Sequence, residues 1–283
     1  MPDGTSTPIE ALKPSESQTA TPLSPSSSKR SISYWKSQIN QRVASNIMAS
    51  MRFGTDATAR VPRDMRHSAV KELKLEQKVL INSGTELMNK EPYQNERRRM
   101  LGAIDRDIST PTVEGIHLDI DNFGIFNKQF GDAIGDEVLL NVGRTINSTK
   151  RETDIAGRVG GEEIDITAPQ TISPTRPQPE EPVLLAEKIR LAIKQAKSPS
   201  GKQVTVSIGT TKYIRGEGEA SYRNRLETAQ IAAKRFGKDR VIEATVDDQG
   251  AIYRDVSTNI RYRAEYDQKG KILGFNPVER KAA

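Results

Sequence analysis

Three acidic positions offer this chain its best chemistry. Asp119 closes a run of alternating apolar residues, and Glu162-Glu163 follows directly on Gly160-Gly161. Carboxylates brought together from neighbouring strands can bind a hard cation such as magnesium, which prefers oxygen ligands and keeps part of its water. Glycines at such a turn let a phosphate approach the backbone closely. Taken alone, the same residues describe an ordinary turn with solvated acids. Little else competes. The 283 residues include no cysteine, which excludes disulfides, iron–sulfur clusters, thiol catalysis and Cys-ligated zinc. The two histidines, His67 and His117, are too few for a histidine-rich metal site or relay.

The elements that must position these acids follow from periodicity. Ile116, Leu118 and Ile120 alternate with His117, Asp119 and Asp121, which predicts a half-buried strand. Residues 155–159 and 162–167 predict two strands joined through Gly160-Gly161, a dipeptide suited to tight turns. Strand alternation would then point Glu162 and Glu163 to opposite faces. Leu139, Val142 and Ile146 mark a helix with Asp136 in its first turn, where an acid complements the helix dipole. Leu185, Ile189, Ala192 and Ala196 mark a second helix after the Pro-rich stretch 169–182. Leu226, Ala229, Ala233 and Phe236 mark a third. Val204, Val206 and Ile208, then Arg240–Ala244, read as further strands. This alternation predicts an α/β sandwich on one sheet. Two turn signals, Asp248-Gln249-Gly250 and Gln268-Lys269-Gly270, predict strands added to a sheet edge.

The flanks differ in composition. Residues 1–30 hold 16 Ser, Thr or Pro and no aromatic residue, and cannot bury enough apolar surface to order themselves. From Ile32, the apolar positions Trp35, Ile39, Val43, Ile47 and Met51 form one helical stripe, and a second helical stretch is expected from Asp64 to Leu80. The net charge of +6 is held between Tyr34 and Met100, where 13 Lys+Arg face 7 Asp+Glu. These cations interleave with acids and sparse aromatics, which reads as a solvated helical face and not a nucleic-acid surface. No apolar run reaches the ~20 residues of a membrane helix, and no leader is evident, so a cytoplasmic location is expected.

The order and spacing of the blocks carry more than the acids alone. Thr85-Glu86-Leu87-Met88-Asn89-Lys90, Leu118-Asp119-Ile120-Asp121-Asn122-Phe123, Asn127 with Gly131 and Gly135-Asp136, Arg158-Val159-Gly160-Gly161-Glu162-Glu163, Val206-Ser207-Ile208-Gly209 and Ala233–Val241 follow one another. Together they closely resemble the GGDEF family of diguanylate cyclases over roughly residues 82–245. The resemblance implies a central, mostly antiparallel sheet flanked by helices, related to nucleotidyl cyclase and polymerase palm domains. It divides the chain into a disordered tail (1–31), a helical arm (32–81), the GGDEF domain (82–245) and a C-terminal β-hairpin extension (246–283). It also implies a homodimer that condenses two GTP into cyclic di-GMP and pyrophosphate.

Carried over by position, the resemblance makes Asp119, Glu162 and the Ile120 carbonyl ligands of magnesium, with manganese the alternative. Glu163 would take the hydroxyl proton or complete the metal shell. Asn127, Asp132 and Asp136 would line the substrate site, with Asn127 and Asp136 on the guanine, beside Gly160 and Gly161. Lys234 and Lys238 would offset phosphate charge. Arg151 and Asp154, an R-x-x-D placed six positions before Gly160, would bind cyclic di-GMP as an inhibitory site.

Departures from the family pattern are specific. Gly124 stands where the family has a phosphate-facing lysine, Lys128 where it has an acid, Asp132 where it has a histidine, and Ile164 ends a GGEEI motif. Lys128 lies one helical turn from Gly124 and could restore the missing charge. Gly124 favours the alternative function, a catalytically degenerate module that binds cyclic di-GMP or GTP and signals by contact.

Overall fold

The computed structural model describes residues 79–170, 182–196 and 198–278. The expected tail 1–31, and the expected arm 32–81 up to residue 78, lie outside the described residues. Among the described residues eight strands are formed: β1 (Val113–Ile120), β2 (Ile155–Arg158), β3 (Glu163–Pro169), β4 (Val206–Lys212), β5 (Arg240–Asp247), β6 (Gly250–Asp255), β7 (Arg261–Tyr266) and β8 (Ile272–Pro277). The helices are α1 (Lys90–Arg106), α2 (Phe123–Phe130), α3 (Asp132–Thr149), α4 (Pro182–Gln195) and α5 (Gly218–Arg235). All strands join one sheet in the order β2-β3-β1-β4-β5-β6-β7-β8. Neighbours are antiparallel except β4 and β5, which are parallel and connected through α5. The mostly antiparallel sheet with flanking helices is the expected fold class.

Period-two alternation decides which side chains meet which helix. Ile116, Leu118 and Ile120 pack with Val138, Leu139, Val142 and Ile146 of α3 and with Ala186, Ile189 and Ile193 of α4. On the other face, Val113 meets Leu101 and Ile104 of α1 and Tyr222 and Leu226 of α5. Ala229, Ala232 and Ala233 of α5 pack on Ile242, Ala244 and Tyr253. Small residues along α5 bring its backbone close to the sheet. Each large apolar side chain so buried contributes roughly 1.5–3 kcal/mol.

Several sequence expectations are corrected. β1 is buried along its whole length, not half-buried, because α5 and α1 cover the face that carries its polar residues. Those residues are matched in place: Glu114 by Thr210, His117 by Asp165 and Asp119 by Lys234. α3 begins at Asp132, so Asp132 and not Asp136 is its first-turn acid. Arg97, counted among solvated cations, is 1% exposed and joins Asp165 at 2.9 Å and Glu219 at 2.6 Å. The tail strands do extend a sheet edge, running on from β5 through turns at Asp248-Gln249 and Gln268-Lys269. Among the described residues no helix is long and apolar enough to cross a membrane.

Candidate active site

β1 delivers Asp119 to its C-terminal end, where the residue lies directly across from Glu163 on β3 and from Ser207 on β4. Its carboxylate is buried, and the Lys234 ammonium from the last turn of α5 sits 2.7 Å from Oδ2. Burial pushes the Asp119 carboxyl above its ordinary pKa, Lys234 pulls it back, and the neighbouring charges of Glu162 and Glu163 push it up again. An acid in that setting gains from any cation brought to it.

The second acid comes from the turn between β2 and β3. The amides of Val159 and Gly160 donate to the Glu163 carbonyl at 3.0 and 3.3 Å. Arg158 clamps the turn by donating from Nε and Nη2 to the Gly161 carbonyl at 2.9 and 2.7 Å. The Glu163 carboxylate lies close over Gly160: a Cβ there would be 2.3 Å from Oε2, and this exposed side chain would have to move aside. Glu162 belongs to the turn and β3 starts at Glu163, so strand alternation does not separate them as the sequence suggested. Glu162 is half-buried and lines the same cleft as Asp119, whereas Glu163 is exposed and folds back over Gly160.

The opposite wall follows β1. Asp121 accepts from Thr205 Oγ1 at 2.7 Å, Ser207 Oγ at 2.6 Å and the Asp239 amide at 3.0 Å, so it ties β4 and the loop after α5 to the end of β1. Asn122, in the left-handed region at φ 58°, turns the chain into α2. Its Oδ1 accepts from Lys238 Nζ across the cleft. The resulting cleft has a volume of about 340 Å³ and is lined by Asp119, Ile120, Glu162, Lys234 and Lys238, together with Asn122, Gly124 and Lys128. Asp121 is the residue that sequence reasoning left without an assigned place in this wall. Lys128 was legible only as one turn from Gly124; Asp121 was quoted in the motif with no partner in view.

The remaining expected residues do not line this cleft. Asn127 inserts against Gly135, where a Cβ would lie 2.1 Å from its Oδ1, and that oxygen is buried with no hydrogen-bond partner. Asp136 follows Gly135 and is exposed, as is Asp132. Arg151 and Asp154 occupy the turn from α3 into β2. Asp154 is 1% exposed, and its Oδ2 accepts from the Arg151 amide at 2.8 Å, so this carboxylate closes its own turn and a ligand would meet Arg151 first. Burial pushes the Asp154 carboxyl above its ordinary pKa.

Asp119, Ile120 and Glu162 line the same cleft, and an ammonium already sits against the Asp119 carboxylate. Among the described residues no group of three or more His, Cys, Asp or Glu is assembled to hold a metal unaided. Two carboxylates suit magnesium, which usually takes one or two from protein and completes its shell with water and substrate phosphates.

Comparison with known proteins agrees with this geometry. A family model described as diguanylate cyclase, GGDEF domain, matches residues 79–240. Diguanylate cyclase DgcM of Escherichia coli K12 is 33% identical over 127 residues, which are 45% of this chain and 30% of that protein. The alignment thus spans about a third of that relative's length. The GGDEF domain of DgcB from Caulobacter crescentus, solved with c-di-GMP, is 27% identical at a TM-score of 0.52, covering 58% of this chain and 95% of that one. Diguanylate cyclase SiaD from Pseudomonas aeruginosa, solved with its activator SiaC, is 26% identical at a TM-score of 0.54, covering 75% of this chain and 80% of that one.

Proposed function

The chain belongs to the GGDEF domain family of diguanylate cyclases, and from that premise we propose that it condenses two GTP into cyclic di-GMP and pyrophosphate, as a homodimer in the cytoplasm. The observation that carries this reading is the cleft, where the carboxylates of Asp119 and Glu162, with Asp121 tied into the same wall, stand among three lysines, Lys128, Lys234 and Lys238. Carboxylates hold hard cations, lysines hold phosphates, and a nucleoside triphosphate with its divalent ion needs both.

In this reading Asp119, Glu162 and the Ile120 carbonyl hold magnesium or manganese. Such an ion, when bound, stabilises the attacking and leaving oxygens. The 3′-oxygen of one GTP bonds to the α-phosphorus of the other, the bond to the β-phosphate bridging oxygen breaks, and pyrophosphate leaves; the reciprocal attack by the second 3′-oxygen then closes the ring and releases a second pyrophosphate. The hydroxyl proton passes to Glu163 at the rim, or to water. Lys234 exchanges Asp119 for a phosphate oxygen, and Lys238 and Lys128 share the remaining phosphate charge, since phosphoryl transfer depends largely on electrostatic stabilisation. Gly160 and Gly161 leave the turn open to phosphate. Asn127 and Asp136 hydrogen-bond the guanine, with Asp132 beside them. Arg151, over the turn closed by Asp154, binds product as an inhibitory site.

Gly124 favours a second reading, a degenerate module that binds cyclic di-GMP or GTP without turnover, because no cation arises from that position in the cleft wall. Incubation with GTP and magnesium, followed by chromatography, separates the two. Accumulation of cyclic di-GMP supports the enzyme; bound but unconverted GTP supports the module.

A further inference from the structure

We propose that the strands β6–β8 form a brace that positions Lys238, and with it the phosphate side of the cleft. The inference rests on the reading of the cleft given above. It starts from an unfavourable stretch of backbone. Gly237, Lys238 and Asp239 have φ of 112°, 65° and 45°, three successive residues with positive φ, two of them bearing side chains. Such a run persists only where its surroundings over-determine it.

The surroundings are specific. On the helix side, the Lys238 amide donates to the Ala233 carbonyl and the Asp239 amide to Asp121 Oδ2, each at 3.0 Å. Arg190 and Lys194 of α4 each hold the Asp239 carboxylate at 2.6 Å. On the other side, every anchor belongs to the tail strands. Arg235, just before the run, donates to the Ile272 and Leu273 carbonyls of β8 at 3.0 and 3.1 Å. The Phe236 ring packs tilted against Tyr262 of β7 at 4.2 Å and edge-on against Phe275 of β8 at 5.3 Å, measured between centroids. Arg240, just after the run, pairs at 2.6 Å with Asp255 at the end of β6. The same guanidinium donates through Nε to the Lys238 carbonyl at 3.1 Å. A continuous link therefore runs from buried Asp255 through Arg240 to the backbone of Lys238, whose ammonium reaches Asn122 across the cleft. The family match ends at residue 240, so all three bracing strands lie beyond it.

Arg240, Arg235 and Asp255 are positioning residues in this account, since they act on Lys238 and touch no substrate. Exchange of the Lys238 and Asp239 amides, read by nuclear magnetic resonance on the full chain, tests the brace without reference to turnover. Arg240→Ala should speed both amides at least about tenfold, the effect of one lost charge-assisted contact. Arg240→Lys keeps a cation for Asp255 but has no Nε to donate to the Lys238 carbonyl, so it should restore protection only in part, and Arg235→Ala provides a second variant should Arg240→Ala fold poorly. Binding of a nonhydrolysable GTP analogue supplies the second readout. Lys238→Ala should weaken it in the wild type but add little in Arg240→Ala, because the brace works through Lys238. Unchanged exchange in both arginine variants, or fully additive losses of affinity, would overturn the proposal. If the wild type binds no nucleotide, the reading of the cleft falls, while the exchange rates still decide the brace by themselves.

Discussion

Replacing Asp165 by Asn should unfold this domain far more readily than any surface substitution. Asp165 lies under α5 on β3, 1% exposed, and is shared by His117 Nδ1 at 2.6 Å, Arg97 at 2.9 Å and Arg223 at 3.4 Å. The amide keeps the shape but removes the charge, leaving the buried Arg97 guanidinium against a neutral group. Breaking a buried pair on one side costs about 3–5 kcal/mol. Arg97 keeps Glu219 at 2.6 Å, which places the loss near the lower end, about 3 kcal/mol. With a urea slope of about 2 kcal/mol per M, the unfolding midpoint should fall by about 1.5 M at pH 6. The pH dependence follows from the shifts. Burial would raise the Asp165 carboxyl, but His117 first, then Arg97 and Arg223, hold it below the ordinary 3.8. Its contribution is therefore present above pH 3.8 and is lost as pH falls through the lower folded value. Burial would lower His117, but the hydrogen bond and charge of Asp165 raise it above 6.5, so its contribution is complete below 6.5 and is lost as pH rises through the higher folded value. The gap between wild type and Asp165→Asn should be widest between about pH 4 and 6.5 and narrow on either side. A midpoint within about 0.5 M of the wild type at pH 6 would refute the view that this network is held by charge.

Three further outcomes are expected. Lys128→Ala should lower turnover more than GTP affinity, and Gly124→Lys should partly restore it, because a Cβ at Gly124 meets nothing within 4 Å; an unchanged rate in Lys128→Ala would end the idea of compensation. Arg151→Ala should weaken cyclic di-GMP binding in isothermal titration, and Lys should not substitute for a planar guanidinium; equal affinity would make this R-x-x-D a purely structural turn. Asp121→Ala leaves two hydroxyls and the Asp239 amide without their acceptor and should destabilise the domain by roughly 2–4 kcal/mol in urea unfolding, with an effect under about 1 kcal/mol counting against its tying role.

Local pattern made much of this legible. Ile116, Leu118 and Ile120 gave away β1, and the spacings along α3 and α5 matched their buried faces, because those faces are apolar and periodic; along α4 the spacing found the helix but only Ile189 of its buried face, which is Val183, Ala186, Ile189 and Ile193. α1 escaped notice because Glu96 and Arg97 interrupt its buried face between Tyr93 and Leu101. Glu96 is matched within the helix by Arg99, but Arg97 is matched by Asp165 and Glu219, far along the chain, which composition cannot foresee. The half-buried reading of β1 failed for the same reason, since His117 and Asp119 have partners on β3 and α5. Within the site, the acids were legible as a motif, but which glutamate enters the cleft depends on β3 starting at Glu163. Asp121 became intelligible only once Ser207 and Asp239 stood beside it.

The most direct test of the central claim is the initial rate of cyclic di-GMP formation from GTP and magnesium by full-length wild type and by Glu162→Gln, after both show the same unfolding midpoint. The cleft reading predicts product from the wild type and a loss of at least about a hundredfold in Glu162→Gln, the scale on which preorganised electrostatic groups act. Equal rates from the two proteins would contradict it, and with it the assignment of Asp119 and Glu162 as the pair that holds the ion.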